Sequence, residues 1–428
     1  MHSLKRLSLT AVAGILALGI TAPVAVADDV ADFYKGKTVT MYVGYSAGGG
    51  YDVYSRTLAR HIGRHLPGNP TIVVKNRPGA GSLVLANEVY NTLPQDGSVI
   101  ANFGRGMPTE PLLGNKKARF DGRKFFWLGS MNNEVSVCVV WHTVPVNFWQ
   151  DLIDRGAIMG GTGAGADTDT FPLILNNLFG TKMKLVTGYP GGNDINFAIE
   201  RGELEGRCGW SWSSVVSTRA EWLKEEKVKI LLQMSTQKHP DMPNVPLVMD
   251  FAKTRQEEQV LKLIYARQVW GRPYMAGPRI PKARGAALRA AFAATMKDER
   301  FLAEAKKQKL EVAWVDGKQV QEGIAELYEF PKEVVAAAAR AQTDKSRIEI
   351  SKAVIPIETS KGKITALGGG GRNVSWEGDG KKGKIRVSGS GTELLVGGKK
   401  SKRGGLKVGM ECSFTYQGSS AKKIDCAG

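Results

Sequence analysis

The sequence predicts an α/β protein built on parallel sheets, followed by a small β module as a separate unit. β-rich runs, glycine-rich loops and helix-like apolar patterns alternate along residues 38–103 and again along 135–234. The chain of 428 residues is 42 % hydrophobic and 23 % charged, which is typical of a globular protein with a sizeable core. This composition excludes a disordered, collagen-like or disulfide-scaffold chain. The composition changes near Ser360, where a glycine-rich basic tail begins.

The N-terminal segment has the pattern of a secretory signal peptide. Lys5 and Arg6 precede an apolar run over residues 7–20, and the small residues 25–27 (Ala-Val-Ala) form a cleavage site. The apolar run is shorter than the roughly 20 residues that a membrane-spanning helix needs. We therefore expect residues 1–27 to be removed by cleavage after Ala27 and the mature chain to be exported.

Two α/β lobes are expected between the signal peptide and the tail. The expected strands are residues 38–44, 71–75, 98–103, 135–141, 157–159, 184–187 and 228–234. The helix after the first strand has apolar residues every four positions from Tyr54 to Leu66. The largely helical segment near the C-terminal end of the body is expected to return to the first lobe. The predicted lobes are residues 28–130 with 257–345, and residues 131–256.

Glycine-rich loops follow three of the expected strands and precede helices. They are residues 45–50, 76–81 and 160–165. Glycine lets a ligand approach the backbone, and the free N–H groups and the dipole of a helix N-terminus favour an anion there. In open α/β sheets the ligand crevice lies at these strand ends. One such loop is explained by a tight turn, but three of them across two lobes favour anion binding.

Other chemistries that use glycine loops or paired histidines fit the sequence less well. Residues 161–166 have the G-x-G-x-x-A spacing of a dinucleotide-binding loop, but the next strand ends without the acidic residue that holds a ribose. His61 and His65 lie four positions apart, but residue 62 is Ile, where a zinc protease helix carries Glu. The sequence therefore predicts no cofactor and no metal site.

A serine hydrolase is the alternative from a different functional class. Residues 44–48 (Gly-Tyr-Ser-Ala-Gly) match the G-x-S-x-G nucleophile elbow and lie between a strand and a helix. Ser46 would be the nucleophile, with His142 or His239 as its base. No earlier strand and loop of the mature chain supplies the second oxyanion donor. We therefore favour Ser46 as a hydroxyl donor to a bound anion and keep an exported hydrolase of an acidic small molecule as the alternative.

Several motifs of the body resemble those of one family. They are AGGGYDVYSRTLARHI at 47–62, VVKNRPGAG at 73–81, GYPGGNDINFAIERGELEGR at 188–207 and HPDMPNVPLVMDF at 239–251. In this order they resemble the receptors of tripartite tricarboxylate transporters, the Bug-type solute-binding proteins. The resemblance covers residues 32–341. The chain departs from the family at Ser55, where alanine is usual, and in the third loop, where two side-chain hydroxyls are missing.

The resemblance implies a type II periplasmic binding protein, in which two α/β lobes close on a ligand between them. It implies no catalysis and no cofactor. The implied ligand is a carboxylate-bearing small molecule, held largely by loop amides and ordered water. The implied partners are the membrane permease subunits of a tripartite transporter, and the implied compartment is the periplasm.

The predicted ligand-binding residues come from the loops and the strand ends. They are Tyr45, Ser46, Ala47, Gly48, Gly49, Asp52, Gly79, Ala80, Gly81, Ser82, Arg105, Thr162, Gly163, Ala164, Gly165, Tyr189 and Asn193. Arg105 follows the third strand, where it forms either a bidentate pair with a ligand carboxylate or a salt bridge within the protein. Trp210 and Trp212 either line the pocket or pack in the core, and core packing is the favoured interpretation.

The tail, residues 361–428, is expected to be a small basic β module. It holds 14 Lys and Arg against five Asp and Glu, within a net charge of +18 for the chain. Short strands are expected at residues 384–387, 393–396 and 412–416. Its aromatic residues are few, so a solvated accessory domain is favoured over a nucleic-acid-binding one. A surface-binding protein whose active part is the tail is a third interpretation.

The chain has four cysteines, and its predicted export favours disulfides. Cys412 and Cys426 are expected to pair and to stabilise the tail, because a unit this small has a limited core. Cys138 and Cys208 lie in apolar contexts of the second lobe, and the sequence leaves open whether they pair or stay as buried thiols.

Overall fold

A computed structural model describes residues 25–389, 391–418 and 420–428. Most of the predicted signal peptide, residues 1–24, lies outside the described residues. The first helix, Ala25–Tyr34, runs across the predicted cleavage position, and cleavage there stays a prediction. Across the described ranges, each helix is too short or too polar to cross a membrane.

Helices and strands alternate through the body, and strands alone follow. The helices are α1 (Ala25–Tyr34), α2 (Gly50–His61), α3 (Leu83–Asn91), α4 (Asp151–Asp154), α5 (Asp167–Phe179), α6 (Gly192–Glu200), α7 (Trp212–Thr218), α8 (Ala220–Lys224), α9 (Arg255–Tyr265), α10 (Lys282–Met296), α11 (Glu299–Lys307), α12 (Gly317–Leu327) and α13 (Lys332–Thr343). The strands are β1 (Thr38–Val43), β2 (Thr71–Asn76), β3 (Val99–Asn102), β4 (Phe126–Ser130), β5 (Ser136–Trp141), β6 (Ile158–Gly160), β7 (Lys184–Thr187), β8 (Gly206–Ser211), β9 (Val228–Met234), β10 (Pro273–Ala276), β11 (Val315–Asp316), β12 (Ile350–Lys352), β13 (Ile357–Gly368), β14 (Asn373–Gly378), β15 (Lys381–Arg386), β16 (Glu393–Val396), β17 (Lys399–Lys400), β18 (Glu411–Gln417) and β19 (Ser420–Cys426).

The first lobe is built on a mixed six-stranded sheet with the order β11-β4-β10-β3-β1-β2. Strands β1, β2 and β3 are parallel, as the repeated strand-loop-helix pattern predicts. Strands β10 and β11 are antiparallel to β4, because the chain returns to this sheet from the second lobe in the opposite direction. The sequence prediction of a parallel sheet is therefore correct for the first three strands, whereas β4, β10 and β11 were not among the expected strands.

The second lobe is built on a six-stranded sheet with the order β12-β7-β6-β8-β5-β9. Strand β5 is antiparallel to both neighbours, while β6, β7 and β12 are parallel. A disulfide joins Cys138 on β5 to Cys208 on β8, which answers the question that the sequence left open. Helix α13 packs on α5 beside this sheet, whereas α12 packs on β4. The exact domain boundaries stay predictions.

The first and second lobes share a large apolar core. Trp127, Phe103 and Phe125 are fully buried and contact one another edge to face, with ring centroids 5.2–6.1 Å apart.

Polar side chains cap the N-termini of two of the outer helices. Asp298 accepts a hydrogen bond from the Phe301 amide at 3.0 Å, and Asp316 forms a capping box at the start of α12.

The C-terminal module is a seven-stranded sheet with the order β15-β14-β13-β18-β19-β16-β17. Its first strand begins at Ile357, four residues before the predicted start of the tail, and the sequence missed β13, β14, β17 and β19. Trp376 stacks on Phe414 in its core with ring centroids 5.3 Å apart. The predicted Cys412–Cys426 disulfide is confirmed, and it joins the neighbouring strands β18 and β19. We use "C-terminal module" below for residues 357–428.

Candidate functional site

A cavity lies between the two lobes at the carboxyl ends of β1, β3 and β6. It encloses about 70 Å³, so a ligand held in this closed form is a small molecule. Six of the predicted ligand-binding residues line it: Tyr45, Gly49, Arg105, Thr162, Gly165 and Asn193. The other main lining residues were not among the predicted ligand-binding residues; they are Gly50, Tyr51, Asp167, Thr168, Asn196, Arg207, Ser211 and Ser214.

The remaining predicted residues lie around the cavity and are not among the residues that line it. They are Ser46, Ala47, Gly48, Asp52, Gly79, Ala80, Gly81, Ser82, Gly163, Ala164 and Tyr189. Several of their amides are already bonded within the protein. The Gly48 amide donates to Asp52 Oδ2 at 3.0 Å, and the Gly163 amide donates to Asp169 Oδ2 at 2.7 Å. These two amides therefore stabilise the conformation of their loops. Because each already donates to an aspartate, neither is free to donate to a ligand in this form.

Two of the glycine loops hold the lobes together. The Gly81 amide of the first lobe donates to the Thr162 carbonyl of the second lobe at 3.0 Å. A Cβ atom on Gly163, whose φ is +136°, would lie 2.5 Å from the Gly81 nitrogen. Such a contact is shorter than van der Waals packing allows, so glycine at this position permits the close approach.

Ser46 forms a bridge between the lobes. Its Oγ donates to Asp194 Oδ2 on α6 at 2.6 Å, and its amide donates to the Pro190 carbonyl at 3.0 Å. Among the described residues, no histidine is within hydrogen-bond distance of Ser46. A serine that donates to a carboxylate, without a base that takes its proton, lacks the arrangement of an activated nucleophile.

Three helix N-termini meet at the cavity. Helices α2, α5 and α6 begin after Gly49, Ala166 and Gly191, and none of these three N-caps makes a side-chain capping bond. The first residues of each helix line the cavity wall. The N–H groups and the dipoles at these helix N-termini favour an anionic ligand, and they act beside the acidic first-turn residues Asp52, Asp167, Asp169 and Asp194.

Arg105 lines the cavity, but its charge is paired within the protein. Its Nε donates to Asp167 Oδ2 at 2.7 Å, and its Nη2 donates to the hydroxyls of Ser136 and Ser211 at 2.8 and 3.1 Å. Burial opposes the charged form, but Asp167 raises the pKa of Arg105 above its usual value. Of the two interpretations made from the sequence, the structure has the salt bridge between the lobes.

Arg207 lines the same cavity without an acidic partner. It lies on β8 and is 3 % exposed. Its Nη1 donates to the Gly192 carbonyl at 2.7 Å and to Asn196 Oδ1 at 2.8 Å. Within the described part of the chain, Nε and Nη2 have no hydrogen-bond partner. These two atoms form one edge of the guanidinium, which is the edge that binds a carboxylate in a bidentate pair.

The surroundings of Arg207 leave its positive charge uncompensated. Burial and the neighbouring Arg219 lower the pKa of Arg207 to about 9, so it is still charged at neutral pH. The guanidinium lies over the Trp210 ring at 4.8 Å, and Trp210 both lines the cavity and packs on Trp222. The signal in the sequence was an arginine in a buried strand, but its lack of a partner is visible only in the fold.

Solved structures with this fold are periplasmic solute-binding proteins. The chain aligns with the periplasmic binding protein BugD at a TM-score of 0.59 and 18 % identity, covering 75 % of this chain and 100 % of that one. It aligns with a protein of R. palustris solved with adipate at a TM-score of 0.56 and 17 % identity. That alignment covers 71 % of this chain and 97 % of the other. It also aligns with MatC from Rhodopseudomonas palustris, solved with bound malate, at a TM-score of 0.54 and 18 % identity. That alignment covers 70 % of this chain and 99 % of MatC. The predicted two-lobed fold of the periplasmic binding proteins, with an additional C-terminal β region, is confirmed.

Sequence similarity to a curated protein is more local. The chain is 33 % identical over 120 residues to the UPF0065 protein in the gbd 5′ region of Cupriavidus necator, which is 28 % of this chain and 34 % of that protein. The chain therefore spans about a third of the length of the curated relative it matches. No family model matches the chain.

Proposed function

We propose that this chain is an exported, non-enzymatic receptor of the Bug type. It binds a small carboxylate between its two lobes and delivers it to the membrane permease of a tripartite tricarboxylate transporter. The fold shared with BugD and the adipate and malate of two solved neighbours support this proposal. Cleavage after Ala27 and a periplasmic location are part of the same proposal.

The observation that carries the proposal is the unpaired buried charge of Arg207. Three charged side chains line the cavity, namely Arg105, Asp167 and Arg207. Arg105 and Asp167 form an ion pair, so the wall keeps one net positive charge. An unpaired buried cation is costly, and a ligand carboxylate on its free edge would remove that cost.

The helix N-termini supply the rest of the proposed site. The open amides of α2, α5 and α6 complement the anion, and Asn193 and Thr162 offer neutral polar groups. Recognition of this kind stabilises a charge and leaves the ligand chemically unchanged. Ser46 bridges the lobes, so it contributes to closure in this proposal and not to catalysis.

The test is a thermal-shift series on protein that has been unfolded and refolded to remove bound material. Malate, succinate and adipate are compared with the corresponding diamides. A ligand at a hundredfold its dissociation constant stabilises a protein by about 2.7 kcal/mol. We expect stabilisation by at least one diacid and none by its diamide. Equal effects of acid and diamide, or none across the series, would contradict the proposal.

A variant identifies the residue responsible. Arg207→Met keeps the length of the side chain and removes its charge. Loss of a hydrogen-bonded charge at a buried interface costs about 2–5 kcal/mol, which is a loss of affinity of about 30-fold or more. Arg207→Lys keeps the charge without the bidentate edge, so an intermediate affinity is expected. The matched control is Arg155→Met, on the surface of the same lobe and paired with Glu205.

A further inference from the structure

The C-terminal module is attached to the second lobe. Strand β12, which precedes it, adds to the edge of the second sheet beside β7. The connection to β13 keeps Ile355 against the apolar cluster of the second lobe. Gln417 of the module donates from Nε2 to the Ile355 carbonyl at 3.0 Å. A Cβ on Gly418 would lie 3.0 Å from Asp194 Oδ1 on α6. These contacts anchor the module on the second lobe.

The same module reaches the first lobe through Arg386, and Arg372 of the module also lies near Asp52 and Arg56 of α2. Arg386 ends β15, and its Nη2 lies 2.8 Å from Asp52 Oδ2 on α2. The Asp52 side chain is fully buried and that of Arg386 is 14 % exposed. This pair is thus a shielded ion pair that joins an appended module to the opposite side of the cleft.

Asp52 controls the loop that carries part of the cavity wall. Its Oδ2 accepts from the Gly48 amide, and its Oδ1 accepts from Arg56 Nε at 2.8 Å and Asn76 Nδ2 at 2.9 Å. The next residues after Gly48 line the cavity. Arg386 also lies close to that loop, since a Cβ on Gly48 would lie 3.4 Å from its Nη1.

Both members of the pair are charged at neutral pH. Burial raises the pKa of Asp52, but Arg386 and Arg56 outweigh it and hold the pKa below its usual value. Burial lowers the pKa of Arg386 to about 10 against the effect of Asp52, and the neighbouring charges of Arg56 and Arg372 lower it further. Separation of the lobes would leave a buried carboxylate with fewer partners, which disfavours the open form.

We propose that the C-terminal module is a positioning element of the receptor, which spans the rim of the cleft and holds the lobes closed through the Arg386–Asp52 pair. Its anchor on the second lobe and its contact on the first are what such a role requires. The module thereby also fixes loop 45–50 and shifts the population of the closed form, before any ligand binds. This inference goes beyond ligand binding and holds or fails independently of the ligand's identity.

The experiment measures the distance between the lobes in the full-length protein without ligand. Spin labels are placed at Lys116→Cys on the first lobe and Glu221→Cys on the second, both at exposed positions. The four native cysteines are in disulfides, so the labels go to the new sites. Distances by pulsed electron resonance are compared for the parent protein, Arg386→Gln and Lys381→Gln. The last is the control, because Lys381 is exposed and pairs within the module with Glu358.

The expected result is a mainly short distance with a minor longer-distance population in the parent and in Lys381→Gln, and a longer-distance population at least fivefold larger in Arg386→Gln. Dissociation of malate or adipate, where either binds, is expected to accelerate by a similar factor. Identical distance distributions in the parent and in Arg386→Gln would overturn the inference. If Arg386→Gln does not fold, Arg386→Lys is measured instead. A distance distribution for Arg386→Lys that includes longer distances than the parent's then supports the role of the module in closure. A distribution equal to the parent's at both low and high salt overturns it.

Discussion

Two buried arginines of the cleft are in contrasting surroundings. Arg105 lies between the lobes with Asp167 at 2.7 Å and serine hydroxyls on its other donors. Arg207 lies in the wall of the second lobe, with one nitrogen bonded to neutral acceptors and the other two free within the described residues. The two side chains line one cavity and are buried to a similar extent, at 2 % and 3 % exposure.

The difference separates a structural charge from a charge that is available to a ligand. The protein itself neutralises Arg105, which links the lobes in the closed form. Arg207 stays charged, and only one of its three guanidinium nitrogens is hydrogen-bonded within the described residues. This arrangement lowers the stability of the fold, but it leaves donors for a ligand carboxylate. The proposal therefore assigns binding to the arginine whose hydrogen bonding is incomplete, and not to the one with the most contacts.

The largest effect on the free energy of unfolding is expected at Arg105, the arginine that is paired with Asp167. Arg105→Met leaves the buried Asp167 with its more distant partner Arg267 at 3.4 Å. Breaking a buried ion pair from one side costs about 3–5 kcal/mol, so chemical denaturation should show a loss of that order. Arg207→Met, which removes an unpaired charge, should leave the free energy of unfolding unchanged or higher. Equal losses in both variants would show that the distinction is wrong.

The disulfide beside Arg207 is expected to have a comparable effect on stability. Cys138 and Cys208 are 70 residues apart, and loop entropy predicts that their link contributes about 4 kcal/mol. Cys138→Ser with Cys208→Ser should therefore unfold at a lower denaturant concentration. The matched double variant is Cys412→Ser with Cys426→Ser, which removes a disulfide that spans a separation of 14 residues. Its free energy of unfolding should fall by about 3 kcal/mol, and only in the C-terminal module. An unchanged midpoint for the first pair would contradict this prediction.

A smaller effect, on affinity, is expected at the contact between the glycine loops. Gly163→Ala would force the second lobe away from Gly81 and hinder closure over Arg207. We expect a loss of ligand affinity of about tenfold, or about 1.4 kcal/mol, measured by calorimetry. The control is Gly180→Ala, where φ is +73° and nothing lies within 4 Å of the new methyl group. It places alanine at another positive φ without the clash, so it should lose some stability and keep affinity.

The smallest expected effect is a dependence of stability on pH. His239 of the second lobe lies 3.8 Å from Glu311 of the first, and this carboxylate raises the pKa of His239. Asp241 and Glu134 also favour its charged form, and Lys306 and Lys309 lie in the same groove. Because the folded pKa is raised, the contribution is complete below the unfolded value and is lost as pH rises through the folded one. Between pH 6 and 8 the parent should lose up to about 1 kcal/mol relative to His239→Gln.

The pattern of residues predicted many local elements of the fold and six of the residues that line the cavity. Periodic apolar positions predicted α2 and β-rich runs predicted β1, β2 and β3, because these depend on neighbours in the sequence. The strands β10 and β11 were missed, because these short segments become strands only where the chain re-enters the sheet.

The bonding of the site residues depended on distant parts of the chain. The Gly163 amide is bonded to Asp169, and Asp52 is bonded to Arg386 from the far end of the chain. The sequence singled out Arg105 because it follows a strand, but its acidic partner lies on the other lobe. Arg207 was missed for the converse reason, since the absence of a partner has no local pattern.

The most direct test of the central claim follows the Nε–H group of Arg207 by NMR spectroscopy. The signal is assigned by its loss in Arg207→Lys, and the carboxylate that stabilises the protein most in the thermal-shift series is then added. Because Nε has no partner among the described residues, a bound carboxylate should shift this resonance and slow its exchange with water. The Nε–H signal of Arg105, already bonded to Asp167, should change little. An Arg207 signal that is unmoved at saturation would contradict the account.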